Sequence, residues 1–333
     1  MTIDRKGSML SRRELLQLAL FGAGATLLPA GSAWAGSTAD DMAQNAWALQ
    51  AASNFHAIYD TAESRQAFFP FLRNVFHLFP EQDMDRLIAT ATATHATDQA
   101  IYREVQKRLP GIAPHLASLR YALPALHRQK HDMHDEALAL LGPDTRINGY
   151  LEVGTTGRYL SALKPSLTLE GPAYLLHTDK PGFSITDIVE RGQLRRLGQF
   201  INMQDYAPIA AADVPDASLD LVTNFIGFHH APAERLDGFV RSLHRVLRPG
   251  GRMIVRDHDV SSVEMNHRVA LAHDVFNMGL NTAWELNQRE IRHFTSLAQL
   301  DDYLSARGFR KESGNLYQPG DPTHNALMLY ARV

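Results

Sequence analysis

The sequence predicts an α/β protein with a mostly parallel sheet behind a helical amino-terminal segment, and three observations carry that expectation. Leu219, Leu221, Val222, Phe225 and Ile226 form a short apolar run with β-branched and aromatic members, as a strand buried on both faces requires. Leu236, Phe239, Val240, Leu243, Val246 and Leu247 then recur at three- and four-residue spacing, the mark of an amphipathic helix. Pro249, Gly250 and Gly251 are expected to end that helix, and Met253 to Val255 to supply the next strand, giving a right-handed βαβ crossover. Near the carboxyl terminus, Gln318-Pro319-Gly320-Asp321-Pro322 separates two further strand-like runs, Lys311 to Tyr317 and Ala326 to Val333. So turn-rich a connection predicts a closing hairpin.

The other elements follow in order. Residues 36–145 are alanine-rich, with helices expected over Asp40 to Ser53, Ser64 to Phe79, Glu81 to Ala93, Asp98 to Leu109 and His115 to Leu141. Pro80 and Pro110-Gly111 are the expected breaks and Pro124 a kink. This segment is read as a cap, and residues 146–333 as the sheet domain. Gly149 to Leu160, G-Y-L-E-V-G-T-T-G-R-Y-L, reads as a strand entering a glycine turn. Tyr174 to Asp179 and Gln199 to Asp205 read as strands that each end in an acid. Val263 to Arg292 reads as helix and brings His273, Trp284 and the following His293 toward the strand ends. Ser296 to Arg307 has Leu297, Leu300, Tyr303 and Leu304 at helical spacing and Gly308 as a stop.

Composition narrows the function classes. The 333 residues carry 33 Lys and Arg against 36 Asp and Glu, a net charge of −3, with no basic tail or aromatic-basic alternation to suggest nucleic acid. There is no fixed-period repeat and no low-complexity tract. A small organic molecule is the expected partner. The chain has no cysteine, which is compatible with an oxidising compartment and does not require one.

The order and wording of Ser218 to Asp257, together with the glycine turn, resemble the class I, Rossmann-like methyltransferases that use S-adenosylmethionine, in the branch acting on small molecules. The resemblance covers roughly Asn148 to Val333 and implies a seven-stranded, mostly parallel sheet with an antiparallel carboxyl-terminal hairpin. It also implies roles for residues. Glu152, Gly154, Thr155, Thr156 and Gly157 fall at the cofactor turn, Asp179 where the family bonds the ribose, Asp205 where it faces the adenine, and Asn224 in the crevice. His229 and His230 fall at the substrate end of the fourth strand, with Phe228 and Asp257 beside them. The turn departs from the family pattern, because Thr155-Thr156-Gly157 lacks the central glycine that lets backbone approach ligand closely. The aspartates at the strand ends are equally at home as turn and capping residues.

Arg256-Asp257-His258-Asp259 follows the fifth strand at the same edge as His229 and His230. Methyl transfer to oxygen or nitrogen is helped by a base near neutral pH, so His229 and His258 are the catalytic candidates. Either is also a plausible buried histidine bonded to a carbonyl. A second set, His127, His131 and His134 with Asp135, shares a helical face at spacing that suits zinc, but with no H-E-x-x-H signature a solvated face is the preferred interpretation and no metal is assigned.

At the amino terminus, Ser11-Arg12-Arg13-Glu14-Leu15-Leu16, the apolar stretch Leu18 to Leu28 and Ala33-Trp34-Ala35 before Gly36 resemble a twin-arginine export signal over residues 1–35. The apolar stretch is short for a transmembrane helix. The resemblance implies passage through the twin-arginine machinery to the periplasm, with a cytoplasmic or membrane-tethered protein as the runner-up. The leading expectation is an S-adenosylmethionine-dependent methyltransferase acting on a small-molecule oxygen or nitrogen. The alternatives are an exported, non-catalytic binding protein on the same fold and a metal-dependent hydrolase using the histidines.

Overall fold

The computed structural model describes residues 53–113, 123–142, 145–184, 187–188 and 191–333. The expected export signal, residues 40–52 of the helix expected over Asp40 to Ser53 and residues 115–122 of the helix expected over His115 to Leu141 lie outside them. The helical segment comprises α1 (Asn54–Tyr59), α2 (Ala62–Phe71), a π-helical turn (Leu72–Phe76), α3 (Glu81–Thr94), α4 (Asp98–Ile112) and α5 (Leu123–Leu141). The sheet domain follows as β1 (Arg146–Val153), α6 (Arg158–Leu163), β2 (Thr168–His177), β3 (Gln199–Asn202), β4 (Leu219–Asn224), α7 (Ala233–Val246) and β5 (Leu247–His258). It ends with α8 (Val263–Gly279), α9 (Trp284–Asn287), α10 (Leu297–Ser305), β6 (Phe309–Lys311), β7 (Leu316–Tyr317) and β8 (Asn325–Arg332).

The strands lie in the order β3-β2-β1-β4-β5-β8-β6, with β7 also paired to β8. β1 to β5 are mutually parallel and β8 is antiparallel to its neighbours. The expected Rossmann-like sheet is therefore present, and its strand order reverses between β1 and β4, the place where open α/β sheets bind ligands. The strand expected over Lys311 to Tyr317 is split into β6 and β7 along one edge of β8. Between them Ser313 Oγ, instead of a backbone carbonyl, accepts the Leu329 N–H at 3.0 Å, so the ladder is interrupted without orphaning that donor.

Both faces of the sheet are covered. Phe239, Val240, Leu243 and Val246 of α7 and Leu297, Leu300 and Leu304 of α10 pack on one face. Met133, Ala137 and Leu141 of α5, with Tyr159, Leu160 and Leu163 of α6, pack on the other. The apolar stripe read in α7 is thus the face it buries. α7 stops at Val246, three residues before Pro249, because Leu247 is already extended and a residue preceding proline disfavours the helical region.

The division between cap and sheet domain is less sharp in space than in sequence. α5, assigned to the cap, lies on the sheet. α8, assigned to the sheet domain, supplies Leu271, Val275, Phe276 and Met278 to the core of α1–α4. The helix expected through Arg292 ends at Gly279, and Asn281 takes a left-handed φ of 59° that closes it. The helix expected through Phe79 also changes character early. Pro70 lies inside α2 and supplies no N–H, and after Phe71 the ladder widens into the π turn. Phe276 meets Phe71 edge-on at 5.2 Å and Phe76 at 5.4 Å between ring centroids, so one α8 side chain pins the cap. Phe276→Ala is expected to destabilise the protein by about 3 kcal/mol, read as a lower urea midpoint. An unchanged midpoint would show that the cap does not depend on this joint.

Candidate functional site

β1 ends in the glycine turn. Gly154 and Gly157 adopt φ of 84° and 101°, the left-handed region open to glycine. A Cβ on Gly154 would sit 2.2 Å from Ile226 Cδ1, so the turn and the chain after β4 meet where only a hydrogen fits. Glu152, expected at the cofactor, is turned into the protein. Its carboxylate accepts the Leu160 N–H at 2.5 Å, the Tyr159 N–H at 3.3 Å, the Tyr150 hydroxyl at 3.1 Å and the Thr155 hydroxyl. It splints the turn to α6, and Thr155, also expected at the cofactor, is a strut of that splint. Burial raises the Glu152 pKa, while these donors favour its charged form.

Thr156 and Asn224 differ from them. Thr156 Oγ1 and both polar atoms of the Asn224 amide are buried with no hydrogen-bond partner. They stand at the carboxyl ends of β1 and β4, which are neighbours in the sheet. Asp179 is exposed just beyond β2. Asp205 lies beyond β3 in a turn whose three consecutive residues Gln204, Asp205 and Tyr206 have φ of 47°, 55° and 58°. Each left-handed non-glycine residue costs on the order of 1 kcal/mol, so this turn stores strain.

On the other side of Ile226 a cavity of about 100 Å³ opens between the cap and the sheet edge. Phe71, Val75 and Phe276 form its apolar side, and His229, His258 and His273 its imidazole side. Gly154, Thr155, Gly157, Asp179 and Asp205 are not among its walls. Nor is Phe228, expected at the substrate, which packs against Phe239 in the sheet core at 6.5 Å between centroids because its side chain follows the buried face.

Asp257 organises the imidazoles. Its carboxylate accepts the Phe228 N–H at 2.8 Å and the His258 N–H at 2.9 Å, and bonds His229 Nδ1 at 2.5 Å. Burial pushes the Asp257 carboxyl up, but His229 and the two backbone donors outweigh it and hold the group below the usual carboxylate range. His258 Nδ1 meets the Thr323 carbonyl at 3.1 Å, and His230 Nδ1 the Ile291 carbonyl at 3.2 Å. Burial pushes His230 and His258 well below the ordinary histidine value and His273 down to about 4. These three are neutral at physiological pH. His230, His273 and Glu290 form a second tier, with Glu290 3.8 Å from Nδ1 of each histidine and bridged by Arg292 to Asp274. Glu290 stays charged well below the usual range: burial opposes this, and Arg292 and His273 reverse it.

His273 was visible in sequence without a role. Glu290, Arg292 and Asp321 gave no motif, because they come from the chain after α9 and from the β7–β8 loop. His131 and His134 both turn to Asp135, at 2.9 and 2.8 Å, on an open face where His131 is 63 % exposed.

Glu136 of α5 lies beside Arg256, Asp132, Asp321 and Gln318, all four of them cavity residues, and burial raises its pKa to about 7. The native state then keeps a proton that the unfolded chain releases near the usual glutamate value of about 4.3, so stability falls as pH rises through that window and levels off above it. Glu136→Gln is expected to match the wild-type melting temperature near pH 4 and exceed it at pH 8. Equal melting temperatures at both pH values would contradict the placement of this carboxyl.

Several solved structures are similar in fold. They include a Burkholderia thailandensis 1,6-didemethyltoxoflavin-N1-methyltransferase with bound S-adenosylhomocysteine, 15 % identical over 62 % of this chain and 80 % of that one, with a TM-score of 0.41. The pyocyanin biosynthetic protein PhzM is 14 % identical over 84 % and 76 %, with a TM-score of 0.46. An O-methyltransferase family 2 protein from Planctomyces limnophilus in complex with apigenin is 15 % identical over 75 % and 66 %, with a TM-score of 0.40. No curated protein matches the sequence. Residues 151–255, the segment carrying the glycine turn, Asn224 and the His229–His230 pair, match the family described as a methyltransferase domain.

Proposed function

We propose that this chain is an S-adenosylmethionine-dependent methyltransferase acting on an oxygen or nitrogen of a small molecule held in the cavity under the cap. The observation that carries the proposal is the set of unpartnered polar groups at the switch in strand order. A buried polar atom without a partner costs about 1–3 kcal/mol, and here Asn224 and Thr156 together present three such atoms. The amino-acid portion of the methyl donor would satisfy them, so the donor set fits the cofactor. Ile226, whose side chain now lies against Gly154, would have to turn aside to admit it.

When bound, S-adenosylmethionine supplies a methyl group already activated on a sulfonium. The chain's task is alignment and proton removal. Asp179 and Asp205, just beyond the ends of β2 and β3, would hold the nucleoside. Asp257 fixes the His229 ring with Nδ1–H toward the carboxylate, which leaves a lone pair on Nε2. The Thr323 carbonyl does the same for His258. Either imidazole can take the proton that the acceptor loses as its bond to the methyl carbon forms. Phe71, Val75 and Phe276 exclude water from the same space.

A second reading, a non-catalytic binding protein, is favoured by the Ile226 contact and by Thr155-Thr156 standing where the resemblance calls for a glycine. The export expectation favours it too, because a methyl donor consumed at each turnover would have to be resupplied outside the cytoplasm. Calorimetric titration with S-adenosylhomocysteine separates the two. Saturable binding at micromolar ligand supports the enzyme, and no heat at millimolar ligand removes it. Asn224→Ala is expected to weaken that binding about tenfold or more, roughly 1.4 kcal/mol, and to leave the melting temperature unchanged, since the amide has no partner to lose. A large fall in melting temperature would mean that Asn224 is structural. For export, fractionation of cells expressing the full chain is expected to place it in the periplasm, and cytoplasmic recovery alone would remove that proposal.

A further inference from the structure

We infer that His229, His230 and His273 form a binding site for one divalent zinc-class metal ion, with a fourth position open to the cavity. One ligand atom from each lies within 4.8 Å of the others, and all three residues are buried. Two come from the turn after β4 and the third from the middle of α8, so the site is assembled by the fold and has no linear signature. The ring centroids are 4.1 Å apart for His229 and His230, and 5.3 and 5.4 Å from His273 to each of them.

Each ring has an acceptor behind it. His229 Nδ1 is bonded to the Asp257 carboxylate at 2.5 Å and His230 Nδ1 to the Ile291 carbonyl at 3.2 Å, and the Glu290 carboxylate stands 3.8 Å from His273 Nδ1. Carboxylate or carbonyl behind a histidine is the arrangement that fixes the tautomer and ring orientation of a metal ligand. His229 shows the consequence. With its Nδ1 hydrogen given to Asp257, Nε2 presents a lone pair, and that atom is buried with no hydrogen-bond donor to meet it. A cation supplies the missing electrophile. An all-nitrogen donor set selects zinc, cobalt, nickel or copper over magnesium or calcium. Nitrogen–metal distances of about 2.1 Å imply nitrogen–nitrogen separations of roughly 3.4 Å, so separations of up to 4.8 Å close by about 1.4 Å or less on binding.

His229 and His273 also line the cavity. The open position therefore faces whatever occupies it, and an oxygen or nitrogen ligand bound there loses its proton more readily. The metal site does not depend on the methyl-transfer reading.

The test uses the full chain without an affinity tag, stripped with a chelator and titrated with Co²⁺. One equivalent per chain is expected to bind, with the intense visible absorption of four-coordinate cobalt, and Zn²⁺ is expected to displace it. His229→Asn and His273→Asn are each expected to weaken binding at least 100-fold, and Asp257→Asn by about 10- to 100-fold through the His229 ring. His131→Asn, on the open face of α5, is expected to leave binding unchanged. No stoichiometric Co²⁺ or Zn²⁺ binding by the wild-type chain overturns the proposal, as does unaltered binding in both His229→Asn and His273→Asn. If either histidine variant fails to fold, the wild-type stoichiometry and the Asp257→Asn spectrum decide. Titration with S-adenosylhomocysteine in the same buffer, with and without metal, keeps failure of this site distinct from failure of the nucleoside site.

Discussion

Asp257 is the carboxylate on which the carboxyl edge of the sheet depends. It is buried, and burying a charge is tolerable only when donors replace water. The backbone N–H groups of Phe228 and His258 and the His229 ring provide them. Two of these lie after β4 and one at the end of β5, so a single side chain locks the turn carrying the His229–His230 pair to the strand beside it. Truncating it would leave two buried N–H groups and an imidazole without acceptors, each at a cost comparable to a lost hydrogen bond. The positions of His229 and His258 at the cavity therefore follow from one charge that cannot be removed alone.

α8 ties this edge to the cap. It is buried on nearly all sides, placing His273 toward the sheet and Phe276, Leu271 and Val275 in the cap core. Arg292, from the chain that returns after α9, binds Asp274 of the same helix and Glu290 at 2.7 and 2.8 Å. Tilting the cap would pull on His273 through a rigid helix, so ligand contacts in the cavity and cap packing are mechanically coupled.

The legible parts of this molecule are those fixed by periodicity. The stripe of α7, the apolar run of β4 and the capped α10 all lie where spacing alone puts them, since burial on one face or two is written into residue order. The misplaced parts are decided by partners distant in the chain. α5 has an apolar stripe, but nothing local says whether a cap or a sheet receives it. α8 lacks a polar face for the complementary reason, because it is covered from both sides. Glu152 reads as a ligand residue from its place before the glycine turn, yet α6 arrives with two N–H groups and turns it into a structural acid. The place of His229 and His258 at the sheet edge is legible because they follow or end strands, where any open α/β sheet forms its crevice. Glu290 has no such signal, since the loop after α9 that folds back over the edge carries no period.

Ile226 stands between the two polar regions of the edge. It lies on Gly154, beside the unpartnered groups of β1 and β4, and it also forms part of the cavity wall with the histidines. Transfer between ligands bound on its two sides requires their reacting atoms to come within about 3–3.5 Å in line, which an intervening side chain forbids. The turn that carries Ile226 is anchored a few residues on by Asp257, and its neighbour Phe225 packs edge-on against Tyr159 of α6 at 4.6 Å. With backbone held at both ends, the available motion is a rotation of the Ile226 side chain and not a displacement of the turn. Isoleucine is branched at Cβ and has few rotamers, so the change is between discrete states. The sheet edge is thus built either to keep two small sites apart or to join them through one side chain, and the contact between Ile226 and Gly154 decides which.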